Sequence, residues 1–447
     1  MNTFSFYSVP NIISGSGMID ALESVCNKSK IFKPLIITDF GIKEQGYVQI
    51  VEKILRKNNC EISIFDDVKP DPPEKNIFDA VSVAKKNNCD AVIGLGGGSS
   101  MDVAKAVSYF SINNNAIQDC YGVGKLNPER MPLIQIPTTA GTGSEVTNIA
   151  IFTLESKQKM GIVDPLLYAD HVILDANLTL NLPSTITAYS GIDAMVHAIE
   201  AYTTKLKKNP ISDSLAKEAL NLLGKNIKIV HKEPKNTKAR ENMLLGSTLA
   251  GMAFTNAPCA GVHALAYPVG ALFKVPHGLS NSLVLPEVIK FNANSAESLY
   301  LEIAGLCIPE LKNERIHISD FINGIDNLIR DLKIPNKLKE VGVSHNDIPK
   351  LAEDAMKQER LLINNPVKIE KGTVFSIKPN KHVIFKNKVI ARGDNKNPII
   401  FKQLNSDNSS NNEEAWSDAV GTHHIQMSGW NQNGNANQVR IRMGQGG

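Results

Sequence analysis

Between Lys33 and Gly98 the chain alternates short, continuously apolar runs with amphipathic stretches: PLIITDFG, YVQIVEKILRKN, EISIFDDV, KNIFDAVSVAKKNN and DAVIGLGGG. A strand that is apolar on both faces must be covered on both faces. Crossover helices on either side of a parallel sheet do this, so the alternation predicts an α/β, Rossmann-like fold over residues 1–180. Beyond Pro183 the strand signals give way to long helical stretches, SGIDAMVHAIEAYTT, SDSLAKEALNLLGKNIKIV, ARENMLLGSTLAGMAF and ISDFINGIDNLIRDL. Residues 181–366 are therefore expected to form an all-α domain.

With 447 residues, 42% of them hydrophobic, the chain can bury two cores. Lys+Arg total 48 against Asp+Glu 45, a balance that argues against nucleic acid or an anionic membrane as partner. No apolar run approaches the roughly 20 residues of a membrane span, and MNTFSFYSVPNI lacks the basic start and apolar centre of a signal peptide. The expected compartment is the cytoplasm. The six cysteines are scattered without a CxxC pair, which argues against a disulfide framework or a thiolate zinc site.

From Val367 the character changes again. Short β-like runs (TVFSI, HVIF, KVIA, PIIF) precede the polar stretches NSDNSSNNEE and NQNGNANQ, and both tryptophans, Trp416 and Trp430, lie here. Residues 367–447 read as an irregular, β-rich, Asn-rich appendage, too short in repeats for a self-supporting solenoid.

Three segments carry chemistry. In AVIGLGGGSSMDVAK an apolar strand runs through Gly96, Gly97, Gly98, Ser99 and Ser100 into a helix, the arrangement in which free N–H groups and a positive dipole end meet a phosphate. A plain tight turn is the alternative. Asp102 sits in the first turns of that helix, where it is also compatible with an ordinary N-terminal charge. In PLIQIPTTAGTGSEVT, Thr138, Thr139, Thr142 and Ser144 crowd hydroxyls after a second strand, suiting a phosphate, ribose or nicotinamide edge. Asp39 ends the run PLIITD, where a carboxylate accepts from ribose hydroxyls and repels a 2′-phosphate, favouring NAD over NADP, unless it is simply a turn residue. In SGIDAMVHAIEAY, Asp193 and His197 are four apart and share a helix face. His263 and His277 follow in AGVHALAYPVGALFKVPHGLSN, each beside small or turn residues. One carboxylate with three imidazoles suits Fe(II), Zn(II) or another first-row divalent ion.

In the order GGGSSMDVAK, PTTAGTGSEVT, GIDAMVHAIEAY and VHALAYPVGALFKVPHGLSNSLVLPEVIKFN, these motifs resemble the iron-containing (group III) alcohol dehydrogenases over about residues 3–366. The resemblance implies an N-terminal dinucleotide-binding domain of dehydroquinate-synthase-like type, a helical metal domain, and a cleft holding NAD and a divalent ion. Carried over by position, it implies metal ligands at Asp193, His197, His263 and His277 and a pyrophosphate loop at Gly97, Gly98, Ser99 and Ser100. It further implies cofactor contacts at Thr138, Thr139, Thr142, Ser144 and Lys159, with Asp39 setting NAD preference, Asp71 beside the adenosine and Leu178 lining the nicotinamide side. The implied reaction is reversible hydride transfer between NAD and a short primary alcohol or diol. Glycerol or polyol oxidation, and a silent cofactor-binding scaffold, are the alternatives. A homo-oligomer is also implied.

Two departures stand out. Tyr267 replaces a histidine that some members carry four residues after the third ligand, and a tyrosine hydroxyl is a poor base near neutrality. After LLINNP, the run VKIEKGTVFSIKPN stands where members usually continue into a closing helix.

Overall fold

In the computed structural model, which describes residues 3–156, 158–312, 315–370, 373–377, 381–384, 425–427 and 441–443, the first half supplies nine strands. They are β1 (Ile12–Ser14), β2 (Pro34–Ile37), β3 (Ser63–Phe65), β4 (Ala91–Gly96), β5 (Gly122–Val123), β6 (Leu133–Pro137), β7 (Ile149–Thr153), β8 (Lys159–Val163) and β9 (His171–Leu174). Six make one sheet in the order β1-β9-β6-β4-β2-β3, every neighbouring pair parallel. The alternation of apolar runs predicts this sheet. It does not predict the second, three-stranded sheet β5-β8-β7, whose strands are only partly buried.

Helices α1 (Ala21–Ser29), α2 (Phe40–Glu44), α3 (Tyr47–Lys57), α4 (Glu74–Lys86), α5 (Gly98–Phe110) and α6 (Ile117–Cys120) are interspersed among the strands. Every residue of β2, β4 and β6 is buried, as strands covered on both faces require. The period of two sorts them: Leu35 and Ile37 pack with Ile77 of α4 and Val103 and Val107 of α5, while Ile36 packs with Leu22 of α1 and Val51 and Leu55 of α3. From β2 the chain moves outward to β3, then returns to place β4 on the other side of β2. The carboxyl ends of β2 and β4 therefore flank the point where the strand order reverses, the crevice in which open α/β sheets bind ligands. Asp39 follows β2 there, and Gly97 follows β4.

After β9 the chain is helical: α7 (Ser184–Thr203), α8 (Pro210–Lys232), α9 (Thr237–Asn256), α10 (Gly261–Phe273), α11 (His277–Cys307), α12 (Ile318–Asp331), α13 (Ile348–Met356) and α14 (Glu359–Leu362). α7 is buried along almost its whole length and shares one core with α8 to α11. α8 and α9 start on Asn209 and Asn236, whose side chains accept from the N–H groups of Ser212 and Ala239. α11 is kinked at Ala296, where φ is −127° and ψ 17°. None of the described helices is long and apolar enough to cross a membrane. All six cysteines are free thiols.

Two compact units divide the chain, Met1–Lys386 and Asn387–Gly447. The runs TVFSI and HVIF form an antiparallel hairpin, β10 (Val374–Ile377) with β11 (Lys381–Ile384), in the first unit. In the second, β12 (Ile425–Met427) pairs antiparallel with β13 (Ile441–Met443). The runs KVIA and PIIF, and both tryptophans, lie outside the described residues.

α11 crosses α7 so closely that a Cβ on Gly278 would stand 2.1 Å from the Tyr189 carbonyl oxygen and 3.1 Å from Asp193 Cβ. Only glycine permits this approach. Gly278→Ala must push the helices apart; it is expected to cost about 1–3 kcal/mol as overpacking, read as a lower urea midpoint with an unchanged slope.

Candidate metal centre and cofactor cleft

Asp193 and His197 come from the buried middle of α7, His263 from the first turn of α10, and His277 from the first residue of α11. Four side chains thus converge from three helices. One potential ligand atom from each of the four lies within 4.8 Å of the others. His277 Nε2 stands 3.5 Å from Asp193 Oδ1. His197 is stacked between the rings of Phe254, at 4.3 Å, and His263, at 4.7 Å. Burial pushes His197 down to about 3 and His277 to about 4, so both imidazoles are neutral with free lone pairs at physiological pH. Burial opposes ionisation of Asp193, but the facing His277, His197 and His263 hold it below the usual carboxylate range. This donor set fits a divalent cation: an ionised carboxylate and nitrogen lone pairs gathered where water is largely excluded.

Two neighbours of the cluster are absent from the sequence expectations. Asn281, one turn after His277 on α11, donates from Nδ2 to Asp193 Oδ1 at 2.6 Å and stands 3.4 Å from both His263 Nε2 and His277 Nε2. Its Oδ1 is buried without a partner. Glu200 lies behind His263, with Oε2 2.5 Å from Nδ1. The available signal was spacing: Glu200 is a heptad from Asp193 and Asn281 is four residues from His277, so each shares a helix face with a candidate ligand.

The cluster opens into a cleft of about 1000 Å³ lined by His197, His263, Tyr267, His277, Gly98, Ser99, Asp102, Thr142, Ser144, Asp71 and Lys159. Candidate cofactor and metal residues thus meet in one space, although Asp39, Gly97, Ser100, Thr138, Thr139 and Asp193 are not among its lining residues. At its sheet side, α5 follows Gly97 at its N-cap and has no side-chain cap, so its first N–H groups are available to an anion. This fits a pyrophosphate. Asp39 follows β2, caps α2 by accepting from Ile42 N–H at 3.1 Å, and accepts from Ser100 Oγ at 3.3 Å. Lys159 of β8 and Asp71, far apart in sequence, form an ion pair at 2.6 Å. Thr138 is fully buried with its hydroxyl unpartnered. Leu178 is 2% exposed and packs in the core with Ile136 and Ile173, outside the residues that line the cleft. Tyr267 lies one turn after His263 and meets its ring edge-on at 6.2 Å.

The hydroxyl-rich loop is more constrained than its sequence suggests. Ser144 Oγ donates to Asp102 Oδ1 at 2.6 Å and accepts from Lys105 Nζ at 2.7 Å. Its single proton is committed, so Ser144 can accept from a ligand but cannot donate to a phosphate. Asp102 also accepts from Ile151 N–H at 2.9 Å, and the fully buried Lys105 donates to Thr147 Oγ1 and the Ile149 carbonyl. Burial lowers Lys105 and raises Asp102 and Glu145. The loop glycines serve docking rather than ligand approach. Gly143 has φ +60°, and a Cβ there would stand 2.6 Å from Gly251 Cα of α9.

Comparison with known proteins follows the same division. The description "Iron-containing alcohol dehydrogenase" matches residues 10–176, and "Fe-containing alcohol dehydrogenase family, C-terminal" matches 187–380, past the expected limit near Pro366. Long-chain-alcohol dehydrogenase 1 of Geobacillus thermodenitrificans is 35% identical over 382 residues, spanning 81% of this chain and 93% of that protein. The crystal structure of a 1,3-propanediol oxidoreductase superposes with a TM-score of 0.79 at 32% identity, covering 83% of this chain and 97% of that one. Sulfoacetaldehyde reductase from Bifidobacterium kashiwanohense, solved in complex with NAD+, gives 0.75 at 28% identity, with 83% and 96% covered.

Lys105 is the cation shared by two buried carboxylates. Lys105→Met is expected to cost about 3–5 kcal/mol, because it leaves Asp102 and Glu145 buried without their counter-charge. Carboxylates whose folded values are raised are tolerated best when protonated, so stability is lost as pH rises above the ordinary 3.8 and 4.5. Urea titrations should therefore show a smaller deficit in the variant at pH near 5 than near 8.

Proposed function

From the premise that the chain belongs to the iron-containing alcohol dehydrogenase family, and is an oxidoreductase of that kind, we propose that it interconverts a short primary alcohol or diol with its aldehyde, using NAD. The observation that carries this reading is one cleft joining an Asp–His–His–His cluster to an uncapped helix N-terminus. When bound, the divalent ion supplies Lewis acidity toward the alcohol oxygen and the nicotinamide ring supplies the hydride acceptor.

The chain's own residues supply position and exclusion. Asp193, His197, His263 and His277 hold the ion, and Asn281 anchors the Asp193 carboxylate. The α5 N-terminus with Gly97, Gly98, Ser99 and Ser100 receives the pyrophosphate, and Asp39, in front of Ser100, accepts from the ribose. The second loop, which carries Thr138 and Thr139, presents Thr142 to the cleft, with Ser144 as an acceptor only. Lys159 and Asp71 act as a pair on the cleft wall, close enough to His277 for their charges to act on it. Phe254, stacked on His197, gives the cleft an apolar wall beside the reacting atoms. Tyr267 offers a hydrogen-bonding hydroxyl on that wall. Relatives named for long-chain alcohols, 1,3-propanediol and sulfoacetaldehyde share this architecture, so the substrate is chosen by wall volume, worth about 1–3 kcal/mol per methylene. A cytoplasmic location, supported by the free thiols, and a homo-oligomer, dimer or larger, complete the proposal.

The test is NADH formation by anaerobically Fe(II)-loaded protein offered ethanol, propanol, the propanediols and glycerol. Metal-dependent turnover with a primary alcohol or diol is the expected result, and full activity without metal overturns the reading. His263→Ala and His277→Ala should each lose metal and more than about a thousandfold in kcat/KM together. Asp39→Ala should shift the NAD/NADP preference toward NADP by about tenfold, the worth of one hydrogen bond to a charged group.

A further inference from the structure

Asp193, His197 and Glu200 all lie on α7, and their spacing puts them on one face of that helix. The first two face the four-ligand cluster. Glu200, 3% exposed, instead meets the opposite side of the His263 ring: Oε2 lies 2.5 Å from Nδ1, and Oε1 accepts the Val262 N–H at 2.7 Å. A carboxylate has only acceptors to offer, so this contact requires the proton on Nδ1. The lone pair of the ring is then on Nε2, the nitrogen that stands 3.4 Å from the amide nitrogen of Asn281, which in turn binds Asp193. With Val262 and His263 adjacent, the two oxygens of Glu200 grip both the backbone and the ring at the start of α10, removing the freedom of the imidazole to turn over.

The charges point the same way. The four candidate ligands contain one carboxylate, Asp193. Glu200 is a second buried carboxylate in hydrogen-bonding contact with a member of that set, and two negative charges balance a divalent cation in a site where water screens poorly.

We infer that Glu200 is a positioning residue for the metal: it fixes His263 in the Nδ1–H form with Nε2 turned to the ion, and it supplies the second negative charge of the site. The inference rests on the reading of the four side chains as metal ligands. A competing arrangement is present in the same place, since Glu200, Cys259 and His263 also offer ligand atoms within 4.8 Å of one another. An ion held there would use the Nδ1 side and the thiol.

The experiment uses metal-free full-length protein titrated with Co(II) against a chelator of known affinity, in wild type, Glu200→Gln and Glu200→Asp. A glutamine amide can accept from only one of the two donors, so Glu200→Gln should lose about 10–100-fold in Co(II) affinity, the range for outer-sphere partners of a metal histidine. Glu200→Asp keeps the charge and should recover part of that loss. NAD affinity, set at the α5 end, should be unchanged in both. Co(II) affinity unchanged in Glu200→Gln, with only the thermal midpoint of the metal-free protein lowered, would mean that Glu200 merely anchors α10 and would overturn the inference. So would a sulfur-to-Co(II) charge-transfer band lost in Cys259→Ser, which places the ion on the thiol side. If Glu200→Gln does not fold, the wild-type protein still decides: long-range proton–nitrogen spectra of the Zn(II)-loaded chain must show His263 protonated on Nδ1, the signal being identified by its absence from His263→Gln, and an Nε2–H form overturns the inference. Failure of wild-type protein to bind any divalent ion would instead sink the ligand assignment itself.

Discussion

Placing Asp193, His197 and Glu200 in the buried middle of an apolar helix carries a desolvation cost that α7 cannot offset by itself. For Glu200 and Asp193 the polar partners come from two other helices: α10 brings His263 and the Val262 N–H, and α11 brings His277 and Asn281, while His197 Nδ1 is buried without a partner. The packing of the helical half is arranged around that requirement. Gly278 lets α11 approach the Tyr189 carbonyl closely enough for His277 and Asn281 to reach Asp193. A helix that was merely apolar would pack in many registers; one that carries three buried polar groups on a single face accepts few.

The same economy governs the sheet side of the cleft. Lys105 is fully buried, yet all of its donors are used by Ser144, Thr147, Ile149 and Asp102. This knot ties α5 to the loop after β6, and Gly143 seats the loop against Gly251 of α9. The loop therefore bridges the sheet half and the helical half, and the hydroxyls it offers toward the cleft are those the knot leaves free. Thr142 is among the cleft-lining residues, while Ser144 has already committed its proton.

Legibility in the sequence followed the range of the forces involved. The parallel sheet was readable from β2 and β4 because a strand buried on both faces must be continuously apolar, and that is a local property. β5, β7 and β8 were not, because they are half-buried and paired by tertiary contacts. Asp193 and His197 were legible as a pair through helical spacing. Leu178 was carried over by resemblance to the nicotinamide side, and in the structure it packs in the core with Ile136 and Ile173, because the turn after β9 folds it under the sheet.

Composition, apolar periodicity and helical spacing thus determined the fold class, the Asp193–His197 pair and the Gly-rich turn, all of which depend on neighbours a few residues apart, while the family resemblance joined His263 and His277 to that pair. Only the tertiary structure decided that Glu200 stands behind His263, that Asn281 faces three of the candidate ligands, that Lys159 pairs with Asp71, and that Ser144 is an acceptor rather than a donor. These relations join residues that are tens of positions apart or are settled by competition for a single proton. Neither long-range proximity nor the allocation of a hydrogen bond is written in the local pattern of a chain; both are fixed when the helices pack and each buried polar group must find a partner.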